Sequence, residues 1–290
     1  MEYVQFENIT KVELFELEAN YDEGDFHKWI DDNWAIAYTA SVIYAVVIFA
    51  TKQYMENRQK FELRYPLAAW SSALAIFSIM GTIRTSPLFF YDLYTHGLHY
   101  SLCDNAYYFS KPTNFWCSLF TLSKLVELGD TLFIVLRKQP LIFLHYYHHI
   151  TVLMYVWFTY PYRTASGRWF LMMNYFVHSL MYTYYALRAM RFKVPRFVNK
   201  VLTTLQLCQM FVGFCIAIYL RNVMESGIPC ATNWMAIKYS FLMYVSYFIL
   251  FAKFFYDTYL KPKNTELKKS TTNGIASNGV SASKVSSKYD

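Results

Sequence analysis

Glycine is scarce in this chain, with nine residues in 290, and none of them builds a G-x-G-x-x-G turn or a P-loop. Soluble nucleotide-dependent domains need such close backbone approach to phosphate, so the absence argues against that class. Charged side chains are few as well, at 16%. No basic-then-apolar leader opens the chain. The first 32 residues are strongly acidic, so the first apolar segment is expected to serve as the anchor. Asn-Pro-x-x-Tyr is missing from the last apolar segment and Asp-Arg-Tyr from the end of the third, which removes two receptor signatures. No internal repeat of broken helices suggests a transporter.

What remains is apolar and aromatic. Hydrophobic residues make up 55% and aromatic rings 20%, more than one soluble core absorbs, and the bilayer is the solvent that fits. Spanning the hydrocarbon takes about 20 helical residues. Seven segments qualify, near 33–52, 66–90, 114–136, 141–160, 168–188, 200–220 and 234–258. The predicted fold is all-α, a polytopic membrane protein with seven transmembrane helices. The second segment is long enough to tilt or to end in a turn at Pro87, and the fourth is expected to begin after Pro140, a good first-turn residue.

The net charge of +7 falls on alternate loops and not on one face, so a nucleic-acid partner is not expected. Lys52, Arg58, Lys60 and Arg64 occupy the first linker, Arg137 and Lys138 the third, and Arg188, Arg191, Lys193, Arg196 and Lys200 the fifth. Lys261, Lys263, Lys268 and Lys269 follow the last segment. The opposite linkers hold only Lys111, Arg163, Arg168 and Arg221. The positive-inside rule then places the N-terminus lumenal and the C-terminus cytosolic. The predicted organisation is an acidic lumenal segment over 1–32, a membrane domain over 33–260, and a polar, disordered tail over 261–290. Asn8 heads an Asn-Ile-Thr glycosylation sequon on the lumenal side. Cys103 and Cys230 fall in lumenal linkers, where an oxidising compartment would pair them as a disulfide.

Ionisable groups inside a membrane are costly and point to function. The third segment carries Lys124, Glu127, Asp130 and Thr131; the fourth carries His145, His148 and His149 at i, i+3, i+4 spacing. Asn174, His178, Tyr182 and Tyr185 line the fifth, and Gln206 and Gln209 the sixth. At about 1.5 Å per residue, these four stripes converge on one layer in the cytosolic half. Four imidazoles are too few for a di-iron centre and could hold one zinc at most, with Asp130 as a further ligand. The other reading is acid–base and nucleophilic work by imidazole. Cys208, beside Gln209, is the rival nucleophile, although a buried thiol reacts poorly. Basic loops at the mouth and an apolar interior behind suit a substrate with a polyanionic head and a fatty chain, such as acyl-CoA.

The run from Ser123 to Thr131, then Leu136-Arg137-Lys138, then Leu144-His145-Tyr146-Tyr147-His148-His149, resembles the fatty-acid elongase family. So do Met173-Asn174-Tyr175 through His178, Met181 to Tyr185, Leu205-Gln206 and Gln209-Met210. The resemblance covers roughly 33–260, and Lys60 to Arg64 looks closest to members acting on saturated and monounsaturated chains. It implies a 3-oxoacyl-CoA synthase of the endoplasmic reticulum whose helices enclose an acyl tunnel. It also implies a reaction of acyl-CoA with malonyl-CoA, without cofactor or bound metal, in which His148 accepts the acyl group and His178 is its reacting partner. His145 and His149 would orient and exchange protons. Asn174, Tyr182, Gln206 and Gln209 would orient histidines or donate to the thioester oxygen, with Glu127 and Asp130 fixing tautomers. Arg137, Lys138, Arg191, Lys193 and Arg196 are candidates for CoA phosphates. Expected partners are membrane lipid and the 3-oxoacyl-CoA reductase, 3-hydroxyacyl-CoA dehydratase and enoyl-CoA reductase that complete a cycle. The chain ends Ser286-Ser287-Lys288-Tyr289-Asp290, without the di-lysine signal common in the family.

Overall fold

A computed structural model of the chain describes residues 13–261. The Asn8 sequon and nearly all of the expected tail lie outside the described residues. Within them every element is helical. Two short helices, α1 (Glu16–Ala19) and α2 (Glu23–Asp32), precede α3 (Ala35–Met55), α4 (Arg64–Cys103), α5 (Lys111–Val126), α6 (Asp130–Leu136), α7 (Phe143–Thr159), α8 (Gly167–Ala189), α9 (Arg196–Glu225) and α10 (Trp234–Phe255). Each of the seven predicted segments is occupied by helix. Four of these helices, α3, α4, α9 and α10 with its final turn, are long and apolar enough to cross a membrane by length and composition.

Local chemistry explains most boundaries. Asp22 caps α2 by accepting from Gly24 N, and Asn233 caps α10 by accepting from Ala236 N. Pro112 sits in the first turn of α5. Three boundaries depart from the sequence reading. Pro87 is accommodated inside α4, and the break comes later, at Gly97, whose φ of 82° suits a residue without Cβ. Residues 114–136 are not one helix: a 3₁₀ turn over Glu127–Gly129 separates α5 from α6. Helix α7 begins after Pro140, as expected, but at Phe143 and not near 141, because Ile142 is still extended.

The acidic N-terminal segment is folded onto the bundle. Glu18 is fully buried, accepts from Phe15 N and Trp116 Nε1, and forms an ion pair with the buried Arg84 of α4. Tyr21 OH donates to Ser118 Oγ at 2.5 Å, and Arg163 pairs with Glu23. Phe26, Ile30 and Leu14 pack against the aromatic core of Trp116, Phe120, Trp157 and Tyr175. Burial raises the Tyr21 phenol to about 12, with the Ser118 hydrogen bond pulling the other way.

The linker charges on this side are consumed within the structure. Arg168 pairs with Asp92 and donates to the Asp104 carbonyl, and Lys111 donates to the Ala19 carbonyl. Cys103, at the end of α4, and Cys230, between α9 and α10, form a disulfide across a sequence separation of 127. Cys117 is buried, whereas Cys208 and Cys215 are exposed on α9.

Candidate active site

The polar stripes meet. Lys124 Nζ donates to Glu127 Oε1 at 2.7 Å and to Asn174 Oδ1 at 2.9 Å. Asn174 Nδ2 in turn lies 3.2 Å from His178 Nε2, so α5 and α8 are joined through three polar side chains. Ser123 Oγ also donates to Glu127 Oε1 at 3.0 Å. Glu127 Oε2 has no hydrogen-bond partner and lies 3.9 Å from His178 Nδ1. A lone carboxylate oxygen buried beside an imidazole is an electrostatic lever on that imidazole.

Asp130 is held differently. Its oxygens accept from Trp70 Nε1 at 2.6 Å and Tyr182 OH at 2.5 Å, so it binds α4 and α8 together and touches no histidine through a hydrogen bond. Tyr182 is thereby engaged as a donor to a carboxylate. Gly129 makes this possible: a Cβ there would meet the Trp70 ring at 2.8 Å.

The three imidazoles of α7 form one cluster, as their spacing predicts. His145 and His149 rings stand edge-on with centroids 4.5 Å apart, and His148 and His149 are 5.5 Å apart. His149 is buried, with Nδ1 unpartnered. His145 Nε2 lies 2.9 Å from Thr131 Oγ1, which lies 2.7 Å from Tyr44 OH on α3. His148 packs against the Tyr247 ring of α10 at 4.9 Å, and Tyr247 OH bonds Thr151 at 2.5 Å and the His148 carbonyl at 3.3 Å. Helix α7 packs against α5, which carries Lys124, and meets α6 through His145 and Thr131.

Gln209 is buried on α9, and Gln206 contacts Met181 Sδ at 3.4 Å. Cys208 points outward from the same helix turn. That exposure corrects the reading of Cys208 as a buried thiol at the level of the histidines: the helix rotates it about 100° away from Gln209.

Among the described residues no group of three His, Cys, Asp or Glu side chains is arranged to hold a metal ion. The basic candidates divide. Lys138 has a positive φ of 54° and donates to the carbonyls of Glu56 and Arg58, which ties two loops together. Exposed Arg191, Lys193 and Arg196, and half-buried Arg137, form no salt bridge among the described residues. Sequence reasoning missed Tyr44, Trp70 and Tyr247. They are lone aromatics in apolar helices, and nothing local separates them from ordinary core.

An all-helical bundle with long apolar helices and a cluster of histidine and polar side chains among them is that of a multi-pass membrane protein. The comparisons with known proteins say which. Residues 29–267 match the ELO (GNS1/SUR4) family. A Drosophila melanogaster protein named very long chain fatty acid elongase 6 is 46% identical over 273 residues, 93% of this chain and 86% of its own length. Proteins of the same name from Gallus gallus and Homo sapiens are 45% and 44% identical, over 90% and 87% of this chain and 98% and 95% of theirs. The chain belongs to the fatty-acid elongase family, and its work is fatty-acid elongation.

Proposed function

We propose that the protein is the condensing enzyme of elongation, joining a long-chain acyl-CoA to malonyl-CoA. The single observation carrying this reading is the clustering of three histidines on α7, a helix packed against the α5 that carries Lys124, in a chain of the elongase family. In the proposed first half, His148 attacks the thioester carbonyl, the C–S bond breaks, and CoA leaves as a thiolate that takes up a proton. In the second, malonyl-CoA loses carbon dioxide and its enolate carbon attacks the acyl-imidazole. The C–N bond breaks, His148 is regenerated, and 3-oxoacyl-CoA two carbons longer departs. His178 is the proton-handling partner, positioned by Asn174 and by the unpartnered oxygen of Glu127. His145 and His149 relay and orient, while Gln206 and Gln209 donate to the thioester oxygen.

Seven helices would span the endoplasmic reticulum membrane, with the N-terminus lumenal and the C-terminus cytosolic. The acyl chain would lie in a tunnel toward the aromatic core, in keeping with relatives that bear the very-long-chain name. Saturated and monounsaturated chains are the proposed substrates. Unpaired Arg137, Arg191, Lys193 and Arg196 suit the CoA phosphates better than Lys138, whose ammonium already serves two carbonyls. No cofactor is needed for condensation. Reduction and dehydration of the product fall to the reductases and dehydratase proposed as partners.

Purified protein given acyl-CoA and carbon-labelled malonyl-CoA, without nicotinamide, tests the reading. Labelled 3-oxoacyl-CoA and released carbon dioxide in equal amounts are expected. Absence of product across a range of saturated and unsaturated chain lengths would overturn it.

A further inference from the structure

Helix α3 is peripheral: Val42, Ile43 and Val46 are exposed on its outer face. Its buried stripe is Ala37, Ser41, Tyr44, Ile48 and Met55, at helical spacing. Ser41 satisfies its hydroxyl on its own helix, at the Ala37 carbonyl. Tyr44 does not. Its hydroxyl crosses to Thr131 Oγ1 at 2.7 Å, and the same oxygen lies 2.9 Å from His145 Nε2.

Thr131 is unlike Thr85, Thr121 and Thr159, which each donate to a carbonyl four residues earlier, a common resting place for a helical hydroxyl. The corresponding residue for Thr131 is Glu127, in the 3₁₀ turn between α5 and α6, and Thr131 makes no such bond. Its hydroxyl is fully buried and spent entirely on the link between Tyr44 and His145.

Proton counting gives the link a direction. A threonine hydroxyl has one proton, a phenol has one, and a neutral imidazole has one N–H and one lone pair. If Tyr44 donates to Thr131 and Thr131 donates to His145 Nε2, both hydroxyl protons have an acceptor, and the imidazole N–H sits at Nδ1, which is not among the buried, unpartnered side-chain atoms. If the polarity is reversed, with Nε2–H donating inward, one of the two hydroxyl protons is left without an acceptor, since Thr131 is the partner of Tyr44 in the structure. An unmet buried O–H is disfavoured. We infer that Tyr44, acting through Thr131, is a positioning residue that locks His145 in the Nδ1–H tautomer, so that the peripheral helix α3 is part of the histidine site. His145 then presents its N–H, not its lone pair, at Nδ1, and its ring packs edge-on with that of His149. Tautomer choice by the bond at the opposite nitrogen is the usual way a protein fixes which imidazole edge can donate.

The inference rests on the proposed role of the histidines only for its effect on turnover. The test reads both. Protein with ¹⁵N-labelled histidine imidazoles is compared with Tyr44→Phe, Thr131→Ser and Thr131→Val in membranes, by the ¹⁵N shifts of His145 and by steady-state elongation. Unprotonated Nε2 is expected in the native protein and in Thr131→Ser. Tyr44→Phe frees the threonine proton to point either way, so a mixture of tautomers is expected with kcat lowered several-fold and KM held. Thr131→Val severs the link, and kcat should fall on the order of tenfold, the lower end of losses when a histidine's orienting partner is removed. A protonated Nε2 in the native protein would overturn the tautomer assignment even if elongation is absent. An unchanged His145 spectrum in Tyr44→Phe would overturn the role of Tyr44. Altered spectra with unaltered kcat would leave the link structural and overturn the positioning role.

Discussion

Lys124 and Glu127 are one turn apart on the chain and meet as a buried ion pair at 2.7 Å, with Asn174 accepting the second proton of the ammonium. Two charges this deep are costly unless each satisfies the other. The free oxygen of Glu127 lies 3.9 Å from His178 Nδ1, so the pair also borders a histidine.

Breaking it on one side should therefore be worse than removing it. Glu127→Gln or Lys124→Met alone is expected to destabilise by about 3–5 kcal/mol, as single cuts of buried pairs do. The double variant should recover much of that stability while remaining inactive, because the oxygen facing His178 is gone. Thermal melting of the detergent-solubilised variants, beside their elongation rates, separates the two effects.

Asp130 clamps α4 to α8 through Trp70 and Tyr182. Trp70→Phe removes one charge-assisted bond and is expected to cost about 1.5–3 kcal/mol. Gly129→Ala should reproduce that loss without mutating either partner, since its Cβ would stand 2.8 Å from the Trp70 ring and displace it. Indole fluorescence and melting temperature report both.

The N-terminal segment is held by charge inside the bundle. Glu18→Gln leaves the Arg84 guanidinium buried opposite a neutral amide, and a loss of about 3–5 kcal/mol is expected. Release of residues 13–32 should appear as new protease cleavage before α3. Arg84→Met with Glu18→Gln should protect the segment better than Glu18→Gln alone.

The Cys103–Cys230 bridge joins the end of α4 to the α9–α10 linker. Removing either sulfur is expected to cost about 2–4 kcal/mol, the usual range for a cross-link over a long loop. Reductant should lower the melting temperature of the native protein and leave that of Cys103→Ser unchanged.

Much of the helical framework was legible because period and apolar length are local signals. The histidine cluster was legible for the same reason: i, i+3, i+4 puts His145, His148 and His149 on one face wherever the helix sits. What failed was long-range or lay at a boundary. Pro87 left open whether the second segment runs on or turns there, and α4 runs on past it to a break at Gly97. Asp130 looked like a histidine partner, but the turn over Glu127–Gly129 changes its azimuth and hands it to Trp70 and Tyr182. Glu18 looked like one more acid of a solvated segment. Its partner is 66 residues away, and no spacing rule connects them.

The proposed covalent course is tested most directly by mass. Native protein incubated with long-chain acyl-CoA alone, then analysed intact and by peptide mapping, should carry one acyl group on the peptide containing His148. Malonyl-CoA should discharge that group as 3-oxoacyl-CoA. Product formed with no acylated intermediate, or an acyl group found on a cysteine peptide and lost in Cys208→Ala, would contradict the account.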